Sequence, residues 1–336
     1  MKPQHCWGFF FFVTLKEIRL MQKIQFLLFF CVFIACEAPK KKAILSPILK
    51  SQQYITVLGT AQDAGYPHIG CQKECCRNFY TGHLKKRKVV SLGLIDLEKN
   101  QKWLFEATPD IATQLANLEQ NHVKKTSLID GVFLTHAHIG HYSGLMYFGR
   151  EALGGKGIRI FAMPKMKAYL STNGPWNQLV KLGNIVFTEL AHQTTIALNN
   201  HLKVTPFVVP HRDEFSETVG YKIAGKQKTA LFIPDINKWA KWSEDIVEEV
   251  KKVDIAFLDA TFLKSGEVNR PMSEIPHPFI EETVGLFKNE TFATKQKVIF
   301  IHFNHTNPAL QENSTERKTL EKEGFRVAFE GMQIGL

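Results

Sequence analysis

Beyond Cys76 the 336-residue chain contains no cysteine, so its six thiols crowd into the first quarter of the sequence. A scaffold held together by disulfides is excluded, because most of the chain has nothing to bridge. Long apolar runs are also missing after residue 35, where nothing approaches the roughly 20 residues of a membrane span. Short-period repeats and low-complexity tracts do not occur after residue 53, which removes solenoid and disordered architectures. Charge of one sign is scarce as well. The net charge is +10, but the first 50 residues hold 8 Lys/Arg against 2 Asp/Glu, leaving 34 against 30 beyond. A body this balanced lacks the concentrated basic face of a nucleic-acid binder, and no such partner is expected. What is there is ordinary globular composition, 44% hydrophobic and 22% charged.

The apolar residues of the N-terminus fall in two runs, 6–15 and 24–35. From Met21 the chain reads Met-Gln-Lys, then an apolar core, then Ala35-Cys36-Glu37, which follows the pattern of a signal peptide. A Cys directly after Ala resembles the lipobox of bacterial lipoproteins, with Cys36 as the lipidated residue; a plain N-terminal anchor helix is the alternative. Residues 1–36 are therefore expected to be a leader and 37–53, with Lys40-Lys41-Lys42, Pro39 and Pro47, a tether. The body, 54–336, is expected to be one domain carried on the cell envelope by a lipid anchor in the membrane, facing the periplasm or the outside.

Within the body, β-branched and aromatic runs predict strands near 54–58, 91–97, 102–106, 131–135, 158–162, 185–190, 202–209, 219–223, 229–233, 255–258, 298–301 and 326–329. Helices are predicted from 109 to 120 and at 164–171, 243–253, 278–289 and 314–323. This strand-first mixture favours two sheets covered by helices over one doubly wound sheet. Cys71, Cys75 and Cys76 stand too close together for a complete disulfide set, and a thiolate-rich metal site fits them better.

The chemistry concentrates at His136-Ala137-His138-Ile139-Gly140-His141, directly after the apolar run 131–135. Three imidazoles in six residues, against 13 in the whole chain, suit Zn, Fe, Cu or Ni. Pro210-His211, Pro234-Asp235 and Ile301-His302 each end a further predicted strand. In their order and context these residues resemble the metallo-β-lactamase superfamily, which implies an α/β, αββα sandwich with its site at one edge. Residues 57–59, 135–144, 210–220 and 302–308 are most similar to the pyrroloquinoline-quinone-biosynthesis protein B family. Asp259-Ala260-Thr261-Phe262 and His277 also resemble the tRNase Z and cyclic-phosphate phosphodiesterase relatives. The resemblance implies that His136, His138 and His211 hold a first metal and His141, Asp235 and His302 a second, with Asp235 bridging.

Gly140 departs from that pattern, since the superfamily motif has an aspartate there as a ligand of the second metal. Asp63, on the loop leaving the first strand, is the expected substitute; the alternative is a turn hydrogen bond. The phosphodiesterase relatives also imply a structural zinc held by Cys71, Cys75, Cys76 and His305. Asp259 is expected to orient a ligand histidine or to end its strand, and His277 to protonate a leaving group or to cap the helix after it. Arg212, Asp213, Glu214 and Glu217 are candidates for the site mouth. His68, His83, His122, His192 and His201 are assigned to the surface.

These features imply a hydrolase in which a zinc-bound hydroxide, held by Asp235, attacks a small phosphodiester, ester or lactone. Zinc is expected at one structural and one or two catalytic positions, with iron as an alternative at the active site. The second reading is an oxygen-dependent activity of the pyrroloquinoline quinone protein B kind; the third is a non-catalytic metal-binding scaffold.

Overall fold

Runs of Val, Ile, Leu and Phe set the strand positions, and the computed structural model describes residues 51–336 apart from Thr126, Arg270, Met272 and Ser273. The expected leader, Cys36 and most of the tether lie outside the described residues. The tether's last residue belongs to the domain instead. Gln53 opens the first strand and its amide donates to buried Asp96 at 3.0 Å.

The first six strands are β1 (Gln53–Gly59), β2 (Ser91–Asp96), β3 (Gln101–Phe105), β4 (Gly131–Phe133), β5 (Ile158–Ala162) and β6 (Ile185–Glu189). The next seven are β7 (Ile196–Ala197), β8 (Lys203–Val208), β9 (Val219–Ala224), β10 (Thr229–Ile233), β11 (Ile255–Asp259), β12 (Val298–Ile301) and β13 (Arg326–Val327), and β14 (Gln333–Gly335) ends the chain. Two seven-stranded sheets result, in the orders β14-β1-β2-β3-β4-β5-β6 and β13-β12-β11-β10-β9-β8-β7. In each, an antiparallel part leads into a parallel part: β3 to β6 in one, β10 to β13 in the other. The parallel strands are apolar on both faces because both faces are covered, as the unbroken burial of Val-Ile-Phe-Ile in β12 shows.

Three apolar layers follow from this. Ile55, Val57, Phe105, Phe133, Tyr221, Phe232 and Phe257 fill the space between the sheets. Tyr54, Leu58 and Leu104 meet the helices on the first sheet, where Ile111, Leu115 and Leu118 form one face of Ile111–Asn121. Phe300 and Leu258 meet Val250, Phe287 and Leu320 on the second. The fold is an αββα sandwich. The helices expected at 243–253, 278–289 and 314–323 are shorter than predicted because their caps lie inside the expected ranges, whereas the one expected at 164–171 runs Pro164–Thr172. Asp245 accepts from Val247 N and Glu248 N to start Ile246–Lys251, and Ser314 accepts from Arg317 N to start Thr315–Lys322. Helix Glu74–Tyr80 and strand β14 were not predicted; β14 is short and forms only through its pairing with β1.

Phe133 is stacked between Phe105 and Phe161, with ring centroids 4.7 and 4.1 Å away. Phe133→Ala is expected to lower stability by about 3–5 kcal/mol in denaturant unfolding, since it opens a cavity between two sheets that cannot close on it.

Candidate metal centre

Each histidine of the constellation leaves the carboxyl end of a strand, the end at which ligands meet in α/β sheets. His136, His138 and His141 follow β4, His211 follows β8, Asp235 follows β10, Asp259 ends β11 and His302 follows β12. Six imidazole nitrogens surround the buried Asp235 carboxylate. His211 Nε2 and His277 Nδ1 stand 3.1 Å from its Oδ1. His136 Nε2, His141 Nε2, His302 Nε2 and His138 Nδ1 stand 3.3, 3.7, 3.8 and 3.9 Å from its Oδ2. The donors fall into overlapping sets: His136, His138, His211 and Asp235; Asp63, His141, Asp235 and His302; and Asp235, Asp259, His277 and His302. The structure thus brings together every residue expected at the two metal positions, and Asp63 with them.

These donors fit a metal. His136 Nε2, His138 Nδ1, His141 Nε2, His211 Nε2, His302 Nε2, Asp63 Oδ1 and Asp235 Oδ1 are all buried, and none makes a hydrogen bond within the described residues. Buried polar atoms are rarely left in this state unless another group completes them. Neighbours fix the rings: Thr135 Oγ1 lies 2.9 Å from His136 Nδ1, and Thr261 Oγ1 lies 2.8 Å from His302 Nδ1. In both cases the Nε2 is left to face the cluster.

Electrostatics divide the site. Burial holds His211 down at about 4 and, with His141 beside it, His136 well below the usual imidazole range. Burial also pulls on His277, but Asp259 and Asp235 outweigh it and raise this ring to about 10. Glu106 and Asp63 likewise outweigh burial at His141 and hold it well above its ordinary value. Asp259 accepts from Ile236 N, Thr261 N and Thr261 Oγ1 and faces His277 Nδ1 at 2.9 Å. It therefore orients His277 and, through Thr261, His302. His277 does not cap the following helix, which begins at Ile280 with Phe279 N donating to Glu282.

The thiols form a second cluster. Cys71, Cys75, Cys76 and His305 bring one donor atom each within 4.8 Å of the others, and among the described residues none of the three cysteines is in a disulfide. Helix Glu74–Tyr80 carries both adjacent cysteines, and His68 N donates to Cys76 Sγ at 3.4 Å. Burial, with Cys76 beside it, pushes the Cys75 thiol up to about 12, the crowding that a bound cation relieves.

Residues 101–303 match the model of the beta-lactamase superfamily domain. The chain belongs to the beta-lactamase superfamily. Among curated relatives, coenzyme PQQ synthesis protein B of Methylorubrum extorquens (strain PA1) is 26% identical over 312 residues, covering 84% of this chain and 100% of that protein. The protein of the same name from Acinetobacter baylyi is 25% identical over 305 residues, covering 83% and 99%. Among solved structures, Zn(2+)-bound PqqB from Methylobacterium extorquens superposes with a TM-score of 0.69 at 23% identity, covering 84% of this chain and 100% of that one. A diphosphatase from the PhnP family gives 0.57 at 23%, covering 84% and 96%. These two show that the superfamily sandwich is shared.

A superfamily reading of the motif did not point to Glu106, which is fully buried one residue after β3, with its carboxylate 3.6 Å from His141 Nδ1 and φ at 76°. Its only signal in the sequence is an acid ending an apolar strand. Ser216 was also missed; its Oγ accepts from Ala137 N at 2.8 Å and ties the His211 loop to the histidine loop. Three histidines assigned to the surface have partners within the fold instead, two of them buried. His201 Nδ1 meets Asp96 at 2.9 Å, His122 Nδ1 meets Tyr54 Oη at 2.8 Å, and the His68 ring lies 4.2 Å from that of His305. Those partners are far away in sequence, so spacing carried no sign of them. Of the mouth candidates, Glu214 reaches within 3.8 Å of His138 and Arg212 lines a cavity of about 260 Å³, whereas Glu217 is engaged by Lys165 N. That cavity runs from His277 and Thr261 past Gln62 and Asn304 to His68 and His305.

His305→Ala is expected to lose one metal equivalent per chain while the histidine cluster keeps its own, as read by elemental analysis beside a thiol titration in which the three cysteines become reactive.

Proposed function

We propose that this member of the superfamily is a metal-dependent hydrolase acting on a small phosphodiester, ester or lactone. The observation that carries it is Asp235, a buried carboxylate with six imidazole nitrogens within 3.9 Å, most of them unpartnered. A cation held there supplies Lewis acidity and brings the ionisation of water to about pH 7. His136, His138, His211 and Asp235 would hold one cation, zinc being the reading favoured by this donor set, and His141, His302 and Asp235 would share in a second. Asp235 lies between the two sets, so it orients whatever occupies them. His277, fixed by Asp259 and facing the 260 Å³ cavity, is placed to donate a proton to a departing oxygen of a substrate in that cavity. The cavity is large enough for a small molecule. The thiol cluster would pin the early loop beside the cavity through a structural zinc.

A signal-like pattern over residues 21–36 supports placing this activity in the cell envelope on a lipid anchor at Cys36. The second reading, oxygen chemistry of the kind associated with pyrroloquinoline quinone formation, is favoured by the similarity to coenzyme PQQ synthesis proteins over 84% of the chain. Iron is the metal that suits it.

The full chain purified without added metal separates the two. Zinc in two or three equivalents, with turnover of phosphodiesters or lactones abolished by chelation and by Asp235→Asn, is expected. Iron at the histidine cluster with oxygen consumption in place of hydrolysis would overturn the hydrolase reading. His277→Ala is expected to lower kcat by about 10²- to 10⁴-fold at unchanged metal content, the range for a lost proton donor.

A further inference from the structure

Nothing in the backbone at position 140 asks for glycine. Gly140 lies within the helical turn Ile139–Tyr142 and is not among the residues with positive φ. What asks for it is space. A Cβ at this position would come 2.4 Å from Asp63 Cα and 2.7 Å from Asp63 Cβ and Oδ1. A backbone atom cannot swing aside as the end of a side chain can, so the loop bearing Asp63 and any side chain at 140 compete for one volume.

That loop is clamped where it stands. Ala61 bridges both Val89 and Phe303, Gln62 N donates to Phe303 O at 2.8 Å, and Gly65 N donates to Gln62 O at 2.7 Å. It is therefore tied to the residue following His302. From there Asp63 Oδ1 reaches to 2.8 Å from His141 Nε2 and 3.8 Å from His302 Nε2. Oδ1 and His141 Nε2 are both buried, yet neither is hydrogen-bonded among the described residues. At 2.8 Å the two atoms are close without making an aligned hydrogen bond, and together with Asp235 and His302 they bring one donor atom each within 4.8 Å of the others, close enough to share one cation.

We propose that Asp63, delivered from the β1 loop, is the terminal carboxylate ligand of the second metal position, and that Gly140 is required because it admits the Asp63 loop. The proposal rests on the metal-dependent reading above. It makes the second position a set of two carboxylates and two imidazoles, harder than the first, which has three imidazoles and one carboxylate. The helical turn that carries His141 thus gives up a ligand of its own, and a loop far away in sequence supplies it.

The test counts metal on the full chain after reconstitution with zinc, by native mass spectrometry, with a parallel cobalt titration in which thiolate charge-transfer bands report the cysteine cluster separately. Wild type is expected to hold two equivalents outside the cysteine cluster. Asp63→Ala is expected to lose one of them with the cysteine-cluster bands unchanged. Gly140→Ala, which adds a single carbon, is expected to lose the same equivalent, and the double variant to lose no more than either alone. Asp63→Ala removes atoms without adding any, so it carries the test if Gly140→Ala does not fold. Full stoichiometry in Asp63→Ala at wild-type affinity would overturn the ligand assignment. Full stoichiometry in Gly140→Ala, with Asp63→Ala depleted, would overturn the requirement for glycine. Wild type holding metal at the cysteine cluster alone would overturn the hydrolase reading and this inference together.

Discussion

Asp235 is a carboxylate removed from water in the middle of the molecule, and burial of a charge in this way is tolerated only where opposite charge or a cation compensates it. Its surroundings are built for that. Burial raises Asp235, but His211, His277 and His302 outweigh it and hold the group well below the usual carboxylate range. The compensation is uneven across the site. Around His136 and His211 Asp235 is the main carboxylate, and burial keeps both rings neutral, the form in which imidazole binds a metal. Around His141, His277 and His302 there are also Glu106, Asp63 and Asp259, and there the rings are raised. One carboxylate thus organises two environments with different donor chemistry, and the other acids of the site take positions relative to it.

Holding six imidazoles around one carboxylate requires the chain to turn sharply at the ends of several strands, and two of those turns are strained. His302 and Glu106 have φ of 70° and 76°, conformations that cost about 1–3 kcal/mol for residues with a Cβ. Both directly follow the buried ends of strands paired on both sides, β3 between β2 and β4 and β12 between β11 and β13. Phe303 N donates to Thr60 O at 2.8 Å and Ala107 N to His141 O at 2.9 Å, which fixes the backbone on the far side of each strained residue. The sandwich core is therefore part of the site, since it supplies the rigidity that keeps donors in place.

Strands and helices were readable wherever the apolar pattern was continuous, as at β10 and β12, whose expected bounds agree with the observed ones. Short elements were not. Helix Glu74–Tyr80 has little apolar periodicity and packs on the second sheet through Cys75, Cys76 and Phe79, and β14 exists because β1 offers an edge. Histidines in the superfamily motif stood out through their density, but His201, whose partner lies 105 residues away, had no local signature. Glu106 was hidden for the same reason, since an acid at the end of a strand is buried or solvated according to what packs over it.

By itself the sequence determined most strand positions, a layered arrangement of two sheets covered by helices, and the strand ends that carry histidine or aspartate, because hydrophobic period and residue order are local properties written along the chain; the αββα sandwich and the grouping of His136, His138, His141, His211, Asp235 and His302 were what the resemblance to the superfamily implied. It also raised the question of Gly140 and named Asp63 as a candidate answer. Only the tertiary structure decided that the Asp63 loop occupies the space beside Gly140, that His277 belongs to the carboxylate cluster and not to a helix cap, and that His305 joins three thiols more than 200 residues earlier. These depend on contacts between segments distant in sequence. Such contacts follow from the closing of two sheets on one core, which no window of residues contains.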